Sequence, residues 1–299
     1  MDSQVGITNL TPGVTEAVVD IVFVHGLQGN GVTTWTHPEY DVFWPRDLLA
    51  KDIKHARILT WFYDSTVLKF WADTTANDID ANATSLCSDL ASLRANSESE
   101  DRPIIFVAHS LGGLVCANAL VLGSGHAEAD VKKIASHTRG MIFLGTPHEG
   151  SDLAKWAALG LSFLRLEHGG KATRDLDVLQ KESGKLRSLS TAFGMLLRSR
   201  GESKETEDKI EIVCFYEEFK TRVAKFDMGI VVPQASASLS GYEAVGIPEN
   251  HRNMVRFKSK DDVGYIRISG YLKKWVKRFS TPQPVSRGNR KREMFTSEL

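Results

Sequence analysis

The chain has 299 residues, 42% of them hydrophobic, enough to bury one large core. Lys plus Arg and Asp plus Glu both number 37, so no global charge steers it to nucleic acid. Three cysteines, Cys87, Cys116 and Cys214, lack metal or redox spacing and read as buried thiols in a reducing compartment.

Residues 1–12 are polar and carry no charged-then-apolar leader. No stretch reaches the ~18 apolar residues of a membrane helix, so an intracellular, cytoplasmic protein is expected. Residues 17–24 read as a short buried strand ending in "HGLQGNG", residues 25–31. A glycine-rich loop there serves either a dinucleotide's phosphates or an oxyanion. A dinucleotide turn runs straight into a helix, whereas "VTTWTHPEYDVFWP" has two prolines and no helical period. Asp64 closes the next strand far beyond the roughly 20 residues expected for a ribose-binding acid. Tyr216-x-x-x-Lys220, a pair seen in some dehydrogenases, starts at a strand end rather than on a helical face. The oxyanion reading is the better one.

"FWPRDLLAKDI" suits a short helix with Pro45 in its first turn. Residues 56–63 form a second strand. Residues 73–97 form a long helix, with Ile79, Ala83, Leu86, Leu90 and Leu93 recurring at helical spacing. "SESEDRP" ends it, and Pro103 opens the strand "IIFVAH". An apolar helix over 111–123 follows at once. Between them, Ala108-x-Ser110-x-Gly112 has the form of a nucleophile elbow. Such a tight strand-to-helix turn holds its serine in strained backbone and tolerates only tiny side chains two positions away. Alanine replaces the usual first glycine. The turn aims the hydroxyl over the sheet's carboxyl edge, above a helix N-terminus that favours negative charge.

Residues 140–144 are the next strand. "FLGTPHEGSDL", residues 143–153, brings Thr146, Pro147 and His148 to the same edge. His148-Glu149 lacks the second histidine of a zinc helix, so no metal is expected. Residues 151–208 have helical patches and no strand. They read as a cap insertion over one edge of the sheet, with Trp156, Leu159, Leu161 and Phe163 either shaping an apolar acyl pocket or packing the cap's own helices. Residues 210–216 are a strand, residues 230–232 a short one, and residues 261–279 a final amphipathic helix. Ile266, Tyr271, Leu272 and Trp275 make its inner side. Strands alternating with helices predict a mostly parallel sheet covered on both faces. One domain spans 1–279, with 280–299 a basic tail or linker. Residues 271–292 hold eight lysines and arginines, read as the solvated side of the last helix and a loose tail, with contact to the anionic lipid of a membrane surface or to a phosphate-bearing partner as the alternative.

A serine nucleophile needs two N–H donors, an imidazole and a carboxylate, in the chain order serine, acid, histidine. The donors are assigned to Leu111, after the serine, and Leu27, where Gly26 lets the loop turn back. His25 is structural. Of nine histidines only His168, in the cap, and His251 follow the insertion's start by any margin. His251 lies in "GIPENHRNMVRF", before the last helix, where a base would reach the edge. The acid is Glu217, at the end of "IEIVCFYE", or Asp227 in "KFDMGIVVP". Glu218 would point away from Glu217. No cofactor is called for.

Together "VFVHGLQGNGVTTW", "FVAHSLGGLV", "FLGTPHEGS", "FYE", "VVPQASASL" and "IPENHRNMVRF" resemble a family of α/β-hydrolases, the serine-active-site-containing lipase-like proteins. These are related to the DUF676 serine esterases and the GPI inositol-deacylase group. Similar domains stand at the N-terminus of fungal NOD-like receptors and ankyrin-repeat proteins. The resemblance covers residues 20–279. It implies an α/β-hydrolase fold and cleavage of acyl or lipid esters, with Ser110 as nucleophile, His251 as base and Glu217 as acid. It also implies an alternative, a signalling module of a longer protein with further domains after it.

Overall fold

The computed structural model describes residues 5–65, 77–148, 176–203, 208–223 and 226–280. Seven strands make one sheet: β1 (Gly6–Asn9), β2 (Val19–Val24), β3 (Ala56–Phe62), β4 (Ile104–His109), β5 (Thr138–Leu144), β6 (Glu211–Glu217) and β7 (Glu243–Ile247). Their order is β1-β3-β2-β4-β5-β6-β7. β1 runs antiparallel to β3, and every other pair is parallel. The chain steps from β2 to one side and then crosses to the other. That switch opens a crevice at the carboxyl ends of β2 and β4, where ligands bind in open α/β sheets.

The longer helices among the described residues are α1 (Asn77–Asn96), α2 (Leu111–Ser124), α3 (Ala129–His137), α4 (Leu176–Gly201) and α5 (Val263–Ser280). Alternation along β2 sends Val22 and Val24 to the core under α1 and α2. Ile21 and Phe23 face the other core, with Trp35, Trp44 and Leu272. Both β2 and β4 are buried along their whole length, which explains the apolar runs Ile21–Val24 and Ile104–Ala108. This is the α/β-hydrolase architecture that the sequence leads one to expect.

Several details differ from expectation. Pro45 opens a π-helical turn, Pro45–Leu49, before one α-turn, Ala50–Asp52. Residues 230–232 are not a strand. The nearby strand is Phe226–Gly229, in a hairpin with Thr221–Val223, and the backbone N–H groups of Val231 and Val232 go to the Glu217 carboxylate instead. The expected inner face of α5 holds for Leu272, Trp275 and Tyr271, which meet the core, and fails for Ile266. Ile266 is 55% exposed, while Tyr265, Ile268, Leu272 and Trp275 point inward. The Tyr265 hydroxyl donates to Asp52 Oδ2 at 2.9 Å. β1, β7 and α3 are elements that the sequence pattern does not announce.

Within the 151–208 stretch, α4 packs Phe193 and Leu197 into the core beside α2. Trp156, Leu159, Leu161, Phe163 and His168 lie outside the described residues, as does the basic stretch beyond 280. Lys273 meets Asp52 at 2.8 Å, and Arg278 pairs with Glu211. Cys87, Cys116 and Cys214 are free and buried. Among the described residues no helix is long and apolar enough to cross a membrane.

The amino ends of the strands carry a buried ion cluster. Asp20 accepts a bidentate pair from Arg57 at 2.8 and 2.7 Å, Arg94 at 2.5 Å and Arg102 at 3.1 Å. Ser97 and Ser99 take further Arg57 protons, and the carbonyls of Glu100 and Arg102 take those of Arg94. One carboxylate so joins β2, β3, α1 and the entry to β4, at the edge opposite the crevice.

Candidate active site

Strand register gathers the loops. Val24 pairs with Ala108, His109 with Leu144, Leu144 with Phe215, and Glu217 with Ile247. The loops after these strands therefore all emerge at one carboxyl edge. Ser110 adopts φ 52° and ψ −123°, a region non-glycine residues occupy at a cost of order 1–3 kcal/mol. Surrounding packing enforces it. A side chain at Gly112 would run into the His25 carbonyl oxygen, and one at Gly26 would meet Ser110 Cβ at 2.8 Å. Ser110 caps α2 without a side-chain capping bond, so its hydroxyl is free for another partner.

That partner is His251, whose Nε2 lies 3.1 Å from Ser110 Oγ. His251 Nδ1 lies 3.0 Å from Glu217 Oε2. The other carboxylate oxygen, Oε1, accepts the N–H groups of Val231 at 2.7 Å and Val232 at 2.8 Å. Burial pushes the Glu217 carboxyl up, but His251 and these two N–H groups outweigh it and hold it below the ordinary value. An ionised carboxylate only accepts, so Nδ1 carries the proton and Nε2 turns its lone pair to Ser110. A hydroxyl so placed can give up its proton to the imidazole as it attacks a carbonyl carbon. Asp227 stands apart from this row: it is exposed on the hairpin, and its Oδ1 accepts the Gly229 N–H at 2.9 Å. Glu218 is exposed too, its side chain lying over Gly246.

The glycine-rich loop spends most of its amides on itself. Gln28 donates to the Ser65 carbonyl, Gly29 to the Gly26 carbonyl and Asn30 to Thr34 Oγ1. Val32 and Thr33 donate to Asn30 Oδ1. That closed loop leaves little to cradle a pyrophosphate. Among the described residues no acceptor takes the N–H of Leu27 or of Leu111. Both residues belong to one apolar cluster, with Ile79, Leu114, Leu186 and Val231. Among the described residues no group of His, Cys, Asp and Glu is placed to hold a metal ion.

Other histidines support the loops. His25 Nδ1 donates to the Gly26 carbonyl at 3.0 Å, and its ring stacks on Tyr63 with centroids 4.4 Å apart. Burial lowers it to about 4, so it stays neutral. His148 is lowered to about 3 by burial and packs edge-on to Phe143. Three neighbours of His251 have no role assigned to them by sequence reasoning. His109 Nε2 lies 3.0 Å from the His251 carbonyl oxygen. Thr221 Oγ1 accepts the His251 N–H at 3.2 Å. Gly145, at φ +59°, lies under the His251 ring, where a Cβ would come within 2.7 Å of Cε1. Gly145 stands in "FLGTPHEGS" and His109 in "FVAHSLGGLV", but neither stretch announces the contact with His251.

A family model described as "Putative serine esterase (DUF676)" matches residues 20–224. Protein SERAC1 of Homo sapiens is 27% identical over 269 residues, and that of Bos taurus 28%. Each alignment covers 85% of this chain and 38% of the relative, so the chain spans well under half their length. Among solved structures, acylaminoacyl peptidase from Pyrococcus horikoshii aligns at a TM-score of 0.49 with 13% identity, over 90% of this chain and 39% of that one. The family match extends over more than half of the residues, and the chain therefore belongs to the "Putative serine esterase (DUF676)" family.

Proposed function

We propose that the protein is a serine hydrolase that cleaves carboxylic esters, with acyl-lipid esters as its substrate class. The hydrogen-bonded row Ser110–His251–Glu217 carries the reading. Ser110 Oγ attacks the ester carbonyl carbon, and its proton passes to His251 Nε2. The carbonyl electrons move onto oxygen, which the N–H groups of Leu27 and Leu111 stabilise; a donor of this kind is worth about 10²–10³ in rate. Collapse breaks the bond to the alkoxy group, which leaves as alcohol with the His251 proton. Water then repeats the sequence on the acyl-enzyme and restores Ser110. Glu217 keeps the imidazole in the required tautomer throughout. The apolar cluster of Ile79, Leu111, Leu114, Leu186 and Val231, next to the serine's helix, favours an acyl chain over a polar acyl group.

The test is labelling by a fluorescent fluorophosphonate, then hydrolysis of p-nitrophenyl esters of increasing acyl length. Wild type should label, and Ser110→Ala and His251→Ala should not. Turnover should rise with acyl length before solubility limits it. Equal labelling of wild type and Ser110→Ala would sink the proposal.

A further inference from the structure

We propose that His109, together with Thr221, is a positioning residue that fixes the His251 imidazole against Ser110. The inference rests on the reading of Ser110, His251 and Glu217 as nucleophile, base and acid. His251 sits in a run of turns, residues 251–255, outside any helix or strand. Its ring hangs on two side-chain torsions, so the place of Nε2 is inherited from the loop backbone. Both polar groups of that backbone are held from outside the loop. Thr221 Oγ1 takes the N–H at 3.2 Å, and His109 Nε2 meets the carbonyl oxygen at 3.0 Å.

A carbonyl oxygen only accepts, so Nε2 of His109 must carry the proton. Burial, and then the neighbouring His251 charge, keep the His109 imidazole well below the ordinary histidine value. It is therefore a neutral donor and adds no second positive charge when His251 takes a proton. Its ring also leans on the His251 ring, with centroids 4.9 Å apart and planes 40° apart. His109 itself is rigidly seated: it ends β4, pairs with Leu144 of β5 and is buried against the edge of Trp35.

His109 and Ser110 share a peptide bond. The residue that holds the base and the residue the base serves are one link apart on a buried strand end. The Oγ–Nε2 distance thus depends on a short rigid path, although Ser110 and His251 are 141 positions apart in the chain.

His109→Met removes the donor while keeping bulk, and His109→Gln returns an N–H at similar reach. Thr221→Val removes the acceptor and keeps the shape. The readouts are kcat and KM on p-nitrophenyl butyrate, fluorophosphonate labelling rate and the unfolding midpoint. Misplacement of about 1 Å costs about 10² in rate, so His109→Met should lower kcat about 10- to 100-fold with KM unchanged. His109→Gln should recover most of that loss. Wild-type kcat in folded His109→Met would overturn the proposal, as would His109→Gln being as slow as His109→Met. If His109→Met does not fold, Thr221→Val decides: a kcat loss at unchanged KM supports the clamp, and wild-type kcat overturns it. Ser110→Ala separates the two levels, since turnover surviving in that variant would overturn the underlying reading whatever the others do.

Discussion

Gly145→Ala tests how closely the site is fitted. The glycine follows β5 at φ +59°, and a methyl there would lie 2.7 Å from His251 Cε1 and 2.9 Å from Nδ1. Ordinary carbon contacts are about 3.5–4.0 Å, so the ring or the loop must give by about 1 Å. Met254 Sδ, 3.2 Å from the same point, closes one direction of escape. The 3.1 Å approach of Nε2 to Ser110 Oγ does not survive a shift of that size, and errors of about 1 Å cost about 10² in rate. Left-handed backbone adds about 1–2 kcal/mol for a residue with a Cβ. That corresponds to a Tm lower by about 2–4 °C per kcal/mol in a domain of this size. The assay pairs the rate of fluorophosphonate labelling with calorimetry. The expected result is labelling about 100-fold slower in a protein that melts a few degrees early. Labelling at the wild-type rate would refute the reasoning, because the ring would then not need the space.

Asp20→Ala should leave the buried Arg57 and Arg94 without their counter-charge and cost about 3–5 kcal/mol, read as a lower urea midpoint. Labelling of the folded fraction should stay at wild-type rate, since the cluster lies at the opposite edge; an unchanged midpoint would contradict the role given to it. His25, His109 and His148 are all neutral when folded, with values below the unfolded value of about 6.5. Below about pH 6.5 the unfolded chain binds protons that the folded one refuses. Stability is then complete above that pH and falls beneath it, by about 1.4 kcal/mol per pH unit for each histidine. Urea midpoints at about pH 7 and about pH 5 measure this, and equal stability at both would count against buried neutral imidazoles. Gly112→Ala should abolish labelling because its methyl meets His25 and Val24 backbone. Gly125→Ala, with open space around it, should be silent. Similar behaviour of the two would contradict the close packing of α2 on the end of β2.

Legibility in the sequence has physical causes. β4, Ser110 and α2 were legible because a fully buried strand meets small residues at a turn that admits no others. Glu217 and His251 were legible from strand ends and chain order. β1 was hidden because "GITN" is a short, half-buried edge strand with one large apolar residue. β7 was hidden by Gly246, whose need for a glycine comes from the Glu218 side chain lying over it. Val231 and Val232 read as a strand because they are apolar, yet their amides go to Glu217 rather than to a ladder. α3 buries only Ile134 and Ala135, too little for a helical period to show. The contact of His109 with His251 joins residues 142 positions apart, and no local pattern encodes it.

The parallel sheet also sets a schedule for synthesis. Ser110 leaves the ribosome long before Glu217, and His251 comes later still, after β7. Each parallel pairing needs a crossover before it can close, which is slow and non-local. A nascent chain that has made β5 but not the residues after β7 has the partners of the strained serine turn and still lacks the His251 imidazole. On the proposed chemistry, such a chain would hold Ser110 without the base that activates it. Labelling of Ser110 by a fluorophosphonate would then report the arrival of His251, which follows β7 in the chain.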